Sequence, residues 1–407
     1  MGGRPELSVV IPTYNRAERL RYTLHSLAAQ SLPAEAFEVV VVDDGSTDGS
    51  DEVVDGFRSR IAVQYTRLDR DEADIAANGY CVSRVRNAGL ALARGAVIVF
   101  VDSGTLPGRH FLAAHRAEHA GSGPPRAVIG YTYGTHKFRP FPGLQDVLRN
   151  GSPEDAVTAI GDGPRGLDLR HDVFASGEDP ARLAGAWMLF WTANASLPAR
   201  VLHAAGGFDE AFRGWGYEDA ELGYRLIGHG VRLTASRRAW AVEWPDRPDL
   251  TVVQRSAARN LDVFLSRHRQ PAIELYASIR ARHLLPAFER DHAELQRWCE
   301  QARGLDVRPE LEIAAVSGRV CVLGSGAALP PGWPAATLVD FDAGLLARAP
   351  WGHPTVHAIG LRTGLPDAAF DVVVLTSRLR GLWPRWGETL LAEAGRIGGT
   401  VVVAFEP

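Results

Sequence analysis

Cysteine is scarce in this chain of 407 residues: Cys81, Cys299 and Cys321 are odd in number and far apart. No metal-ligand spacing links them, so neither a disulfide framework nor a structural zinc site is indicated, and a reducing, cytoplasmic setting is the expectation. Lysine is nearly absent, Lys137 being the one instance, and the other basic side chains are arginines. With 44 basic against 48 acidic residues and a formal net charge of −4, no basic stripe stands ready to neutralise nucleic-acid phosphates. Nucleic acid is therefore not an expected partner. Long apolar runs are missing too. The opening MGGRPELSVVIP passes into a short apolar strand without a charged n-region and long h-region, and no later run approaches the ~20 residues of a membrane span. Neither secretion nor membrane insertion is expected, and the length suits two or three domains.

The apolar runs that do occur are short and β-branched. Residues 7 to 12, LSVVIP, and 38 to 43, EVVVVD, flank a segment with helical spacing at Leu20, Leu24, Leu27 and Ala28, which predicts a βαβ unit. The pattern continues through IAVQYTRL at 61 to 68, a helix-like SRVRNAGLALARG at 83 to 95 and AVIVFVD at 96 to 102. Strands apolar throughout predict a mostly parallel sheet covered on both faces. Residues 121 to 185, rich in Gly, Pro and Asp, read as irregular and are long for a plain connection; such loops are usually functional or disordered. Order returns with AGAWMLFWTANASLP, GGFDEAF and the helix-like EDAELGYRLIGHG, whose Leu222 and Leu226 share a face. Residues 252 to 303 read as helices. A second βαβ pattern follows from near Val316: GRVCVLGSG, TLVDFD, FDVVVLT and GGTVVVAF. The expected fold is α/β, with a sheet domain over 1–250, a helical connector over 251–312 and a small Rossmann-like domain over 313–407.

The first strand ends in Pro12-Thr13-Tyr14-Asn15-Arg16 and the second in Asp43-Asp44-Gly45-Ser46-Thr47-Asp48. In an open parallel sheet both ends lie at the carboxyl edge, where ligands bind in the crevice. Asp44 can accept the N3–H of uracil or a ribose hydroxyl, and Tyr14 offers an aromatic face to a base. A plainer reading makes Asp-Gly-Ser a turn and Asp48 the cap of the next helix.

Taken together, VVIPTYNR and VVVDDGSTD resemble the opening of the family 2 glycosyltransferases, which have the GT-A fold. Arg86-Asn87 and FVDSG fall where that family has an Arg-Asn pair on a helix and a strand closing in Asp-x-Asp, so the likeness runs over residues 7 to 245. It implies a nucleoside diphosphate sugar as donor, a UDP-sugar foremost, with Pro12, Tyr14, Arg16, Asp44, Arg86 and Asp102 around the nucleotide. In the family the last acid of Asp-x-Asp holds a Mn²⁺ or Mg²⁺ ion on the diphosphate, and here that position is Gly104. Glu243 stands about where the family often has a further metal-ligating His. Asp102 with Glu243 is thus the metal pair the resemblance leaves, hard oxygen ligands that suit either ion. The plainer role of Glu243 is to pair with Arg237 or Arg238.

The segment from Gly207-Phe208-Asp209-Glu210 to Gly214-Trp215-Gly216-Tyr217-Glu218-Asp219 resembles the GFDE…GWGxED signature of family 2 and of the galactosyltransferase-type motif. It implies Asp219 as general base, Glu218 touching the acceptor, and Trp215, Gly216 and Asn194 at the sugar and acceptor. Both carboxylates would open a helix, where the dipole and free N–H groups favour the ionised form a base needs; simple charge complementarity at a helix start is the alternative. The reaction so implied is one in-line displacement with inversion, the attacking atom being oxygen, nitrogen or sulfur. The sugar and the acceptor, whether small molecule, peptide or glycan, are not written in these motifs. His136-Lys137-Phe138-Arg139 and His171-Asp172 read either as lining the acceptor or diphosphate site or as solvated loop.

The C-terminal part resembles a class I S-adenosylmethionine methyltransferase core: VCVLGSG as its glycine-rich loop, LVDFD ending in Asp340 as the acid on ribose hydroxyls, and LPDAAFDVVVLT as a later strand. Gly324 and Gly326 would permit close backbone approach to a ligand. The loop is abbreviated to GSGAALPPG, and Leu361 stands where an adenine-contacting Asp is common, so a degenerate structural or docking domain is expected. The rival readings are a weakened transferase-like partner subunit and a bifunctional transferase and methyltransferase.

Overall fold

In a computed structural model, which describes residues 4–135, 140–161, 163–245, 250–279, 284–314 and 316–406, the apolar runs form two separate sheets. The chain divides into two compact units, Met1–Asn260 and Leu261–Pro407. In the first unit β1 (Leu7–Thr13), β2 (Phe37–Asp43), β3 (Val63–Arg67), β4 (Val97–Val101), β5 (Thr105–Pro107), β6 (Arg126–Tyr133), β7 (Asn194–Pro198) and β8 (Arg232–Glu243) make one eight-stranded sheet. Its order is β3-β2-β1-β4-β7-β6-β8-β5. The first four strands are parallel; β7 runs antiparallel to both β4 and β6, and β5 antiparallel to β8. This is the α/β sheet the sequence implied, parallel through β1 to β4, of which β1, β2 and β4 are the strongly apolar strands.

Burial on both faces explains that half. All seven residues of β2 are buried, and on one face the Ala17–Ala28 helix packs Leu20, Leu24 and Leu27 over Leu7, Val9, Ile11, Val39 and Val41. Each such side chain contributes about 1.5–3 kcal/mol of transfer free energy. On the other face the Val82–Leu92 helix presses Val85 against Val40 and Val42. Its approach depends on Gly89, where an added Cβ would lie 2.4 Å from Cγ1 of Val10. Thr13 pairs with Asp43 in the parallel register, so the loops after β1 and β2 start level at the carboxyl edge.

The stretch 121–185, expected to be irregular, holds an interior strand. β6 lies between β7 and β8, followed by helices Leu144–Asn150, Pro153–Ile160 and His171–Ser176. A buried Asp168–Arg170 pair fastens it: Asp168 accepts from the Thr132 N–H, and Arg170 donates to the carbonyls of Leu189 and Gly130. His171 is bonded through Nδ1 to the Tyr131 hydroxyl and Asp172 is on the same short helix. Residues 136–139, singled out beside them, lie outside the described residues.

In the second unit β9 (Val320–Leu323), β10 (Ala336–Asp340), β11 (Thr355–His357), β12 (Phe370–Leu375) and β13 (Gly398–Val403) form a parallel sheet in the order β11-β10-β9-β12-β13. β11 has only three residues and went unseen in the sequence pattern. Among the described residues no helix is long and apolar enough to cross a membrane.

The tight contact at Gly89 gives a test. Gly89→Ala should destabilise by about 1–3 kcal/mol through overpacking, read as a lower urea midpoint. The loss should shrink when combined with Val10→Ala, which makes room; strictly additive losses would contradict the contact.

Candidate active site

The loops after β1 and β2 are laced together before any ligand is considered. Asn15, at φ 47°, donates its N–H to Ser46 Oγ (2.8 Å) and accepts at Oδ1 from the Thr47 N–H (2.8 Å). Asp43, fully buried, accepts from both the N–H and the hydroxyl of Ser46 at 2.7 Å. Asp48 accepts from the Ala17 N–H (2.8 Å) at the start of the first helix and also from the Ser50 hydroxyl (2.7 Å) at the start of the next, so it serves both helix starts. Asp44 sits at the mouth of this frame. Its carboxylate is paired with Arg70 (2.8 Å) and Arg84 (3.3 Å), and burial, only partly offset by those cations, raises its pKa. Arg70 also lies 3.7 Å above the ring of Tyr14, which is otherwise exposed. The aromatic face and the carboxylate expected to meet a base therefore already share a cation. Pro12 is half-buried in β1 and Arg16 is exposed just before the first helix.

The second group of motifs converges on Arg86. Its guanidinium is 3.1 Å from Glu218, 3.4 Å from Asp219 and 3.2 Å from Asp102, with the Phe208 ring beneath it at 5.4 Å. Burial works to lower its pKa, but the charges of Asp219, Asp102 and Glu218 outweigh that and raise it. Arg86, expected at the donor nucleotide, is thus a buried counter-ion for the acids. The next residue, Asn87, donates to the Phe208 carbonyl and to Glu210 and accepts from the Phe208 N–H. Adjacent positions of one helix so hold both ends of the Gly207–Asp219 segment.

That segment reaches its helix through strained backbone. Gly214, Gly216 and Tyr217 have φ of 73°, 100° and 74°, and a tyrosine in the left-handed region costs of order 1–2 kcal/mol. The loop is held by Ser256, which bonds to the Trp215 N–H, and Asn260, which donates to the Gly216 carbonyl. Trp215 itself is 47% exposed. Glu218 and Asp219 then open the Glu218–Gly228 helix. Asp219 accepts from the Thr192 N–H (3.0 Å) and hydroxyl (2.7 Å). Burial raises the pKa of both carboxyls, that of Glu218 to about 7 with the Asp219 charge adding to the effect; Arg86 acts against both. Tyr80 is close enough that burial and the Glu218 charge push its phenol up to about 12.

Thr192, Arg70, Arg84 and Tyr80 were not foreseen, since no spacing ties them to the motifs they serve. Asn194 is corrected: it is fully buried, its Nδ2 donating to the carbonyls of Tyr131 and Ala239 and its Oδ1 lying 3.0 Å from His115. It positions strands and has no amide group left for a sugar.

Asp102-Ser103-Gly104-Thr105 is a turn closed by the Thr105 N–H on the Asp102 carbonyl, with Gly104 at φ 109°. Aspartate at Gly104 would be strained there, so the family ligand cannot simply be restored. Glu243 pairs in register with Thr105, beside that turn, and is half-buried. Among the described residues no three His, Cys, Asp or Glu side chains group as metal ligands, and Asp102 is already paired with Arg86. Among the described residues, Asp102 and Glu243 are therefore not joined by a third such ligand.

The sequence profile of glycosyl transferase family 2 matches residues 8–130, and that of the N-terminal domain of galactosyltransferase matches residues 177–243. The chain belongs to glycosyltransferase family 2 and is a glycosyltransferase. It is 39% identical over 414 aligned residues to validoxylamine A glucosyltransferase of Streptomyces hygroscopicus subsp. jinggangensis, covering 98% of this chain and 96% of that one. It is 28% identical to hyaluronan synthase of Pasteurella multocida, over 67% of this chain and 28% of that one. Among solved structures, Staphylococcus aureus TarS 1–349 with UDP-GlcNAc matches at TM-score 0.47 and 19% identity, over 75% of this chain and 78% of that one. The mannosyltransferase PcManGT from Pyrobaculum calidifontis, with GDP-Man and Mn²⁺, matches at 0.42 and 20%, over 74% and 72%.

Removing the shared cation should expose the balance of charge in this cluster. Arg86→Met should cost about 3–5 kcal/mol at pH 8. The sign of the pH effect follows from the raised carboxyl pKa values: protonation, complete below the ordinary carboxylate range, relieves the repulsion, and this relief is lost as pH rises through about 7 for Glu218. The penalty in urea unfolding should therefore be smaller at pH 5 than at pH 8; an equal penalty would contradict the pairing.

Proposed function

We propose that this glycosyltransferase moves a hexosyl group from a nucleoside diphosphate sugar to a small hydroxylated acceptor, with inversion, and that Asp219 is the general base. The observation that carries the reading is the meeting of Asp102, Glu218 and Asp219 on Arg86, which draws residues of three separate motifs to one point. Asp219 suits a base: one-fifth of its side chain is exposed, and Thr192 fixes its orientation by two hydrogen bonds. It takes the acceptor proton while the acceptor atom attacks the anomeric carbon, and the nucleoside diphosphate leaves from the far side.

Glu218, whose pKa is raised by burial and by the Asp219 charge, holds a proton more readily than an ordinary carboxyl, which limits the charge beside the working base and leaves a donor for an acceptor hydroxyl. Exposed Trp215 forms a wall for the acceptor or sugar ring, with Gly216 keeping the loop's turn open. At the donor end Tyr14 and Asp44 receive base and ribose, Arg70 and Arg84 sharing the Asp44 carboxylate with them, and Arg16 lies toward the diphosphate. The near-full-length relative acts, by its name, as a glucosyltransferase on validoxylamine A. Glucose is therefore the sugar, and validoxylamine A the acceptor, to test first, from UDP-glucose before other donors.

Asp219→Asn keeps size and most hydrogen bonds, so turnover should fall by ~10²–10⁴ with donor affinity little changed. Wild-type turnover in that variant would remove the assignment. Since the base works only when ionised and its pKa is raised above the ordinary 3.8, kcat/KM should fall with decreasing pH along a limb centred above that value. Glu218→Gln should move the limb to lower pH by removing a neighbouring charge. Asp44→Ala should weaken nucleoside diphosphate binding by ~1.5–3 kcal/mol, the worth of a charge-assisted hydrogen bond; unchanged affinity in calorimetry would misplace the base.

A further inference from the structure

The second sheet has the strand order of a nucleotide-binding Rossmann unit, and its resemblance to a methyltransferase core implies S-adenosylmethionine on Asp340, at the carboxyl end of β10. The residues present do not fit that group. Asp340 is wholly buried, and both of its oxygens are engaged: Oδ2 accepts from the Gly326 N–H and from Arg378 Nε, each at 2.8 Å, and Oδ1 from the Asp342 N–H at 2.8 Å and a terminal Arg378 nitrogen at 2.9 Å. No acceptor remains for a ribose hydroxyl.

The space is taken as well. Arg378 enters from the turn Ser377–Leu382 that follows β12, and it too is wholly buried. Its other terminal nitrogen donates to the Ala302 carbonyl, its guanidinium lies 5.1 Å from the Phe341 ring centre, and its own carbonyl accepts from the Trp298 indole at 2.7 Å. The glycine-rich loop closes on it. Gly324 and Gly326 have φ of 75° and 64°; a Cβ at the first would lie 3.2 Å from Arg378 Cβ and 2.8 Å from Thr376 Oγ1, and one at the second 3.4 Å from Arg378 Cδ. The close approach that glycine allows is here an approach to the chain's own side chain.

We propose that Arg378 occupies the nucleoside-cofactor crevice of the second unit as a built-in ligand, making that unit a self-filled structural module. A guanidinium held by a carboxylate, a backbone carbonyl and an aromatic face supplies the hydrogen-bond donors that such a fold otherwise takes from ribose hydroxyls, and adds a positive charge that neutralises Asp340. The unit is then folded without a cofactor and closed to one.

The test uses the full chain. Calorimetry and thermal-shift titrations with S-adenosylmethionine and S-adenosylhomocysteine at millimolar concentration should give neither saturable heat nor a rise in Tm, which specific binding to the native state requires. Saturable binding of either compound overturns the proposal. Arg378→Met should lower Tm by leaving Asp340 buried and unpaired, and Asp340→Asn/Arg378→Met should recover part of the loss, since no unpaired charge remains. A single variant that melts like the wild type, or a double variant no more stable than the single, overturns it. If the single variant does not fold, a folded double variant supports the pairing in the same way, and an unfolded one counts against it.

Discussion

Arg86 is the cation on which the first unit's chemistry rests. It is buried on a helix that packs against β1 and β2, and it binds an acid beyond the end of β4 and two acids at the start of a helix over a hundred residues later in the chain. Three carboxylates within reach of one another would repel strongly in a partly dry cleft. A fixed guanidinium turns that repulsion into a joint. The cost falls on Glu218 and Asp219, whose burial, with a neighbouring carboxylate adding to it, raises both despite a cation in contact with each.

The two sheets treat the acid at the end of their second strand in opposite ways. Asp44 meets Arg70 and Arg84, of which the second is substantially exposed, and keeps part of its own surface at the edge of the sheet. Asp340 meets Arg378 with neither side chain accessible at all. Acids at neighbouring positions of the carboxyl edge, one just past β2 and one ending β10, are therefore partly accessible in one unit and sealed in the other. What separates them is the depth of the arginine, a quantity that no strand pattern reveals.

Much of the fold was legible because burial on both faces leaves continuous apolar runs: β1, β2, β4, β9 and β12 lie where such runs occur. β6 was not, because RAVIGYTY is enclosed by Gly and Pro that signal turns, and its place between β7 and β8 is secured by contacts remote in sequence, Asp168–Arg170 among them. The acids at 102, 218 and 219 were marked by the resemblance to the family's motifs, and the structure brings them together. The partners that position them were hidden. Thr192 lies 27 residues before Asp219 in a segment that reads as core, and Asn194, two residues on, is core. Arg86 was visible as part of a pair, but a sequence cannot say whether an arginine faces a ligand or its neighbours.

The Arg86 cluster also has a proton inventory. One cation faces three acids, so the centre carries excess negative charge whenever all three are ionised, and Glu218 is the acid that most readily gives this up near neutrality. A dianionic diphosphate brought beside the cluster raises the local cost of that charge, and the pair responds by binding a proton. On the proposed reading, loading the donor would pull a proton in, whereas the base step needs Asp219 empty. Substrate binding and the proposed chemistry would thus draw on the cluster's protons in opposite directions, and the working optimum would be a compromise between occupancy and reactivity.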